Sequence, residues 1–311
     1  MNVPPSFLIT RIRCSGNTRS FFAFFFTIIF CIHPAFAEGL ISRPSTGLLF
    51  EIKSNANTMY LFGSIHLAKA NFYPLSPQIE QAYAQAEIVA VEADVTDAIA
   101  IQNAMPMMRY ASPDKLQNHL TPTTWQRLQG VTGPAAEQLQ DFKPAVAAMG
   151  VSLGVFAQQG YDPAFGIDLH FINRAKADKK KLVELESIAF QAGVLGSLTD
   201  EEGDALLNQS LGALSNGEAL RDAERMMAMW RASDAAGLAA LFIEAAKKDP
   251  GTKKLMKLLL DDRNVAMAQK IHRMLVDGNK VFVVVGAGHL AGANSIIDLL
   301  QKQGVQVRQL P

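Results

Sequence analysis

Cysteine is almost absent from this chain, which has two among 311 residues, Cys14 and Cys31. Both fall within the first 37 residues, a stretch with the marks of an export leader, so the remainder has neither disulfides nor thiolate chemistry. Charge of one sign is missing too, since 29 Lys and Arg are matched by 29 Asp and Glu. That balance lacks the basic stripe of nucleic-acid binders. No apolar run reaches the ~20 residues needed to cross a bilayer. Linkers rich in proline, glycine and serine, charge blocks and low-complexity tracts are also lacking, which excludes separate units on flexible tethers.

The leader comes first. Arg11, Arg13 and Arg19 precede an uncharged apolar run from Phe21 to Ile32, and Ala35-Phe36-Ala37 supplies the small residues of a cleavage site before Glu38. A secretory signal peptide cut after Ala37 is expected, with the product periplasmic or secreted and free of the membrane. Removing 37 of the 311 residues leaves 274 and, with three arginines and no acid gone, a net charge of −3. A chain of that length buries a sufficient core without disulfides.

Apolar runs at 48–53 and 58–62, separated by Ser54-Asn55-Ala56-Asn57, read as a hairpin. Ser76-Pro77 opens a helix running to about Glu87, and Ile88-Val-Ala-Val-Glu92 is a buried strand. Strand, helix and strand in this order make a βαβ unit, with a parallel pairing expected from it. The pattern turns helical from Asp97 to Tyr161, where Pro144 to Ala157 is uncharged over 14 residues and reads as a core helix. A helix over 168–177 leads to a strand at 181–185, the capping box Thr199-Asp-Glu-Glu202 opens a second helical stretch to about 260, and a helix from Asp262 precedes strand 281–286. A last helix through Ile296 and Leu300 is followed by a strand at 305–310. The fold class expected is α/β, with a mainly parallel central sheet built from two strand-containing halves and helical insertions at about 97–161 and 199–260, all in one domain over 38–311.

Two stretches organise the chemistry: Met59-Tyr-Leu-Phe-Gly63-Ser-Ile-His66 and Val281-Phe-Val-Val-Val-Gly286-Ala-Gly288-His289. In each an apolar run breaks at glycine and a histidine follows three residues later. Glycine there allows a sharp turn that aims the next side chain into a crevice. If both strands are parallel, both imidazoles emerge at the carboxyl edge, where open α/β sheets place ligands. Two imidazoles and a carboxylate make a site for zinc, or for manganese or cobalt with more oxygen ligands, and Glu92 is the natural third ligand. The spacing predicts imidazoles roughly 4 to 7 Å apart, with Arg263 pointing into the crevice.

Other residues have plainer readings beside the functional ones. Glu184 and Glu186 flank another strand end, and Asp168 is either a helix N-cap or a further acid. Arg263 is either a surface charge or a donor to a developing oxyanion. His119 and His272 sit among polar helix neighbours and are expected to be solvated. Met105, Met107 and Met108, with Met226, Met227 and Met229, read as core filler rather than copper ligands. Gly286-x-Gly288-x-x-x-Gly292 imitates a dinucleotide turn, but the last strand offers no acid for a ribose.

These residues are similar to the motifs of the TraB/GumN family, which includes the pheromone-shutdown protein PrgY and the Tiki metalloproteases. The resemblance runs from about Gly47 to the C-terminus. It is carried by Tyr60-Leu-Phe-Gly-Ser-Ile-His66, Val91-Glu92-Ala-Asp, Gly166-Ile-Asp168, Leu185-Glu186 with Gln191, Arg263-Asn264, and Val285-Gly-Ala-Gly-His289-Leu-Ala-Gly292. It implies a divalent-metal-dependent hydrolase acting on peptide or protein, and kinship with erythromycin-esterase-like and ChaN-like folds. Asp262 stands where the family commonly has glutamate. The expectation is an exported peptidase with metal on His66, His289 and Glu92, Glu186 or Asp168 as base or further ligand, and Arg263 on the oxyanion. The alternative is a non-catalytic protein that captures a peptide signal or a haem-like ligand in the same crevice.

Overall fold

A computed structural model describes residues 44–54, 57–248 and 250–311. The expected signal peptide and both cysteines lie outside the described residues. The elements in chain order are β1 (Leu48–Lys53), β2 (Thr58–Ser64), α1 (Pro77–Gln85), β3 (Ile88–Val91), α2 (Ala98–Met108), α3 (Pro122–Thr132), α4 (Pro144–Gln158), α5 (Ile167–Ala177), β4 (Lys181–Glu184), α6 (Ile188–Gly196), α7 (Asp200–Ser215), α8 (Glu218–Arg231), α9 (Ala235–Lys248) and α10 (Pro250–Met256). A π turn, Lys257–Asp261, then runs into α11 (Asp262–Val276), followed by β5 (Val281–Gly286), α12 (Ile296–Lys302) and β6 (Gln306–Leu310).

The sheet has the order β4-β3-β5-β2-β1-β6. From β4 to β2 the pairings are parallel, while β1 runs antiparallel to both β2 and β6, so the sheet is mixed. The βαβ unit forms, but β2 and β3 do not pair as expected. Strand β5 from the far end of the chain inserts between them, pairing Ser64 with Gly286 on one side and Val91 with Val284 on the other. Five of its six residues are buried, as a strand paired on both edges inside the sheet requires.

Both helical stretches are present, α2 to α4 in the first and α7 to α10 in the second. The second is anchored to the sheet by Trp230, whose side chain is fully buried and whose Nε1 donates to the Gly63 carbonyl at 2.6 Å. Its indole stacks on Phe72 and tilts against Phe62, which also meets Phe171 and Phe282. Met227 is buried and Met226 and Met229 pack on the same core, whereas Met107 is exposed. Pro144 sits at the first turn of α4, and Pro144, Ala145, Val146, Ala147 and Ala148 are all buried, as a core helix requires. No helix among the described residues is long and apolar enough to cross a membrane.

His119 differs from its expected solvated state. Its Nδ1 lies 2.7 Å from Asp200 and its Nε2 2.8 Å from Asp114, and the ring stacks on Tyr110 at 3.8 Å. Spacing along one helix gives no sign of this, because Asp200 is 81 residues away.

Candidate functional site

Each of the four parallel strands ends beside one candidate residue. His66 follows β2, Glu92 follows β3, Glu186 follows β4 and His289 follows β5. Parallel alignment therefore delivers all four to the carboxyl edge. Helices supply the rest: Asp168 from the first turn of α5, Gln191 from α6, and Arg263 and Asn264 from the first turn of α11.

Arg263 is the hub. Its Nη2 donates to Glu92 Oε2 and Glu186 Oε2 at 2.6 Å each, its Nε to Glu186 Oε1 at 3.0 Å, and its Nη1 to the Leu259 carbonyl at 2.9 Å. The π turn before α11 shifts the helical hydrogen-bond pattern by one residue, and Leu259 lies within it. Gln191 Nε2 bridges the same two carboxylates, at 3.1 Å to Glu92 and 3.2 Å to Glu186. Glu186 is thus engaged at both oxygens and nearly sealed, with its side chain 4% exposed. A guanidinium has five N–H groups, and these contacts leave one, on Nη1. Burial weakens the Arg263 charge, but the bond to Glu186 and the attraction of Glu92 more than restore it.

Glu92 keeps Oε1 turned the other way, where it accepts the Gly286 N–H at 2.6 Å. Burial pushes this carboxyl up, yet His289, His66, Arg263 and the Gly286 N–H together hold it at about 2. His289 Nε2 faces Oε1 at 3.6 Å, and its Nδ1 lies 2.6 Å from Asn264 Oδ1. The Asn264 amide donates through Nδ2 to the Asn294 carbonyl, so its oxygen faces the imidazole and Nδ1 is assigned the proton. Burial lowers the affinity of His289 for a second proton despite Glu92. Its Nε2 faces the Glu92 carboxylate oxygen.

His66 Nδ1 stands 3.1 Å from Asp168 Oδ1, an ion-pair contact without the alignment of a hydrogen bond. The Asp168 charge lifts the imidazole to about 9, against the pull of burial and with help from Glu92. Although protein crowds it, 67% of the His66 side chain is open to solvent, and that open surface screens the pair. Asp168 is not an N-cap, because Gly166 occupies that position.

The glycines work by close approach rather than by a left-handed turn. Gly286 has φ −52°, and a Cβ there would stand 3.2 Å from Glu92 Oε1, 3.6 Å from His289 Cδ2 and 4.0 Å from His66 Nε2. Both histidines and Glu92 thus converge on one point. A Cβ at Gly63 would meet the Ala287 Cα at 3.1 Å. The recess between Ser64, His66, Glu92, Asp168 and Gln191 holds ≈ 20 Å³, room for one water or ion and far too small for a haem.

Among the described residues no three His, Cys, Asp or Glu side chains are gathered closely enough to form a ready-made metal site. The donor chemistry nevertheless fits one. Each histidine has an oxygen partner at Nδ1, Asn264 Oδ1 for His289 and Asp168 Oδ1 for His66, which orients the ring and leaves Nε2 for a ligand. Glu184 serves elsewhere, accepting from the Asp94 N–H at 2.7 Å. Asp262 pairs with Lys257.

Asn264, to which the sequence pattern assigns no task, meets His289 here, and its position beside Arg263 is the one sequence signal for it. The sequence model of the TraB/PrgY/gumN family matches residues 48–309. The chain belongs to that family. Among its relatives is the Escherichia coli (strain K12) protein named Uncharacterized protein YbaP, 24% identical over 259 residues that cover 78% of this chain and 87% of the relative. The Shigella flexneri protein of the same name matches to the same extent. No solved structure matches this TraB/PrgY/gumN chain.

Proposed function

We propose that this member of the TraB/PrgY/gumN family is an exported, divalent-metal-dependent hydrolase whose substrate is a peptide or protein. What supports the reading is one observation, the convergence of His66 Nε2, His289 and Glu92 Oε1 within 4.0 Å of the point where a Gly286 side chain would begin. His66, His289 and Glu92 would hold the ion, with Mn, Co or Zn suited to the donor set. Such an ion supplies a polarised carbonyl and an activated water.

The chain's own residues have separable tasks. Asn264 holds His289 in the tautomer that frees Nε2, and Asp168 orients His66. Both Glu186 oxygens are occupied by Arg263, whereas Asp168 makes only the ion-pair contact with His66, so Asp168 is the better placed of the two to take a proton from an attacking water. Arg263 and Gln191 fix Glu92 in place, and the last Nη1 hydrogen of Arg263 is available to an oxyanion. The resemblance extends the proposal to fold kinship with the erythromycin-esterase-like and ChaN-like proteins.

The test is elemental analysis of the purified protein together with cleavage of a peptide library with and without chelator. Stoichiometric metal, lost in His66→Ala and His289→Ala, and chelator-sensitive cleavage are expected. Full metal content in both variants with no chelator-sensitive cleavage rejects the reading.

A further inference from the structure

A groove of ≈ 1080 Å³ runs between the start of α7 and the segment formed by α10 and the π turn. Leu198, Ala205, Leu206, Leu255 and Leu258 line it. Both lysines at its rim are paired with rim acids, Lys254 with Glu202 and Lys257 with Asp262, and Glu201 is the one further acid. An occupant therefore meets an apolar floor, where burying a charge is costly, under a rim with one acid more than it has lysines, which disfavours an anion.

The groove is joined to the site by the chain itself. Asp262 lines it, and the next residue, Arg263, reaches Glu92 and Glu186. Within the same π turn Leu258 faces the groove while Leu260 packs over Gly288, whose Cβ would lie 3.2 Å from Leu260 Cδ2. On the opposite wall, Ser197 and Leu198 leave the end of α6, the helix that brings Gln191 to the carboxylates. The volume lies just above the range of ~300–1,000 Å³ usual for ligand pockets, more than one side chain fills.

We propose that this groove binds an uncharged, apolar stretch of a peptide substrate, next to the bond presented to His66, His289 and Glu92. The assignment rests on the hydrolase reading above. It makes the second helical stretch the determinant of specificity, through Ala205, Leu206 and Leu258 rather than through the polar centre.

The test measures the affinity of the full chain for fluorescent pentapeptides by anisotropy, which needs no turnover. Apolar pentapeptides should bind at least about tenfold more tightly than pentapeptides of the same length with Lys or Glu at the central positions. Ala205 is exposed, so Ala205→Trp fills the groove with little risk to folding, and Leu258→Glu places an unpaired charge in it. Each should weaken apolar binding at least about tenfold while the unfolding midpoint stays within a few degrees of the parent. Unchanged affinity in both variants overturns the assignment, as does an Ala205→Trp variant that dissociates a dimer without altering peptide affinity. Binding without cleavage of any bound peptide overturns the hydrolase reading instead, since affinity and turnover are read separately.

Discussion

Asn264 is 1% exposed and has a single task, to accept from His289 Nδ1 while its amide is pinned by the Asn294 carbonyl. Removing the acceptor leaves a buried N–H unsatisfied, a cost of about 1–3 kcal/mol. It also frees the imidazole to present the wrong nitrogen. Asn264→Ala should therefore lose metal affinity by about 10- to 100-fold, read by titration with a competing chelator. Gly286→Ala separates the site from the fold in another way. Its new Cβ would stand 3.2 Å from a Glu92 oxygen that Arg263 and Gln191 prevent from retreating. Metal binding and peptide cleavage should fall in this variant far more than the unfolding midpoint, and equal loss of both would show that the glycine serves packing alone.

Trp230 and His119 each tie a helical stretch to something outside it. The Trp230 indole donates to Gly63, in the strand that delivers His66, so Trp230→Phe leaves that carbonyl without its partner while most of the packing stays. A loss of about 1–3 kcal/mol is expected in urea unfolding, with circular dichroism of the native state unchanged. His119 joins the segment before α3 to the N-terminus of α7. Burial lowers its proton affinity, but the Asp200 and Asp114 carboxylates outweigh burial and raise it above the usual 6.5. A folded-state pKa above the unfolded one stabilises fully below pH 6.5, and that stabilisation disappears as pH climbs through the folded value. The difference in melting temperature between the parent and His119→Gln should thus be largest near pH 6 and shrink at higher pH. A difference that grows with pH would show the pairing to be neutral.

For the molecule as a whole, an ion bound only by the folded state stabilises by mass action, about 2.7 kcal/mol at one hundred times the dissociation constant. Heating the purified protein with and without chelator should show a higher midpoint with metal present. The increment should vanish in His66→Ala and His289→Ala, and its persistence in both would place the ion elsewhere.

How much of this was legible in the sequence divides along the range of the forces involved. The strands at 48–53, 88–91 and 281–286, the Thr199 capping box and the Pro144 core helix follow from local hydrophobic pattern and cap chemistry, which act within a few residues. The paired Gly-x-x-His motifs and Glu92 could be named from the same local pattern, because a residue just after a parallel strand can only reach the carboxyl edge. What the chain order could not reveal is that β5 separates β2 from β3, that Arg263 spends four of its N–H groups on Glu92, Glu186 and Leu259, and that Trp230 reaches Gly63 from 167 residues away. Those contacts are decided by which buried surfaces and unsatisfied polar groups meet once the sheet closes. That choice depends on the free energy of the assembled core, and no window of the sequence contains it.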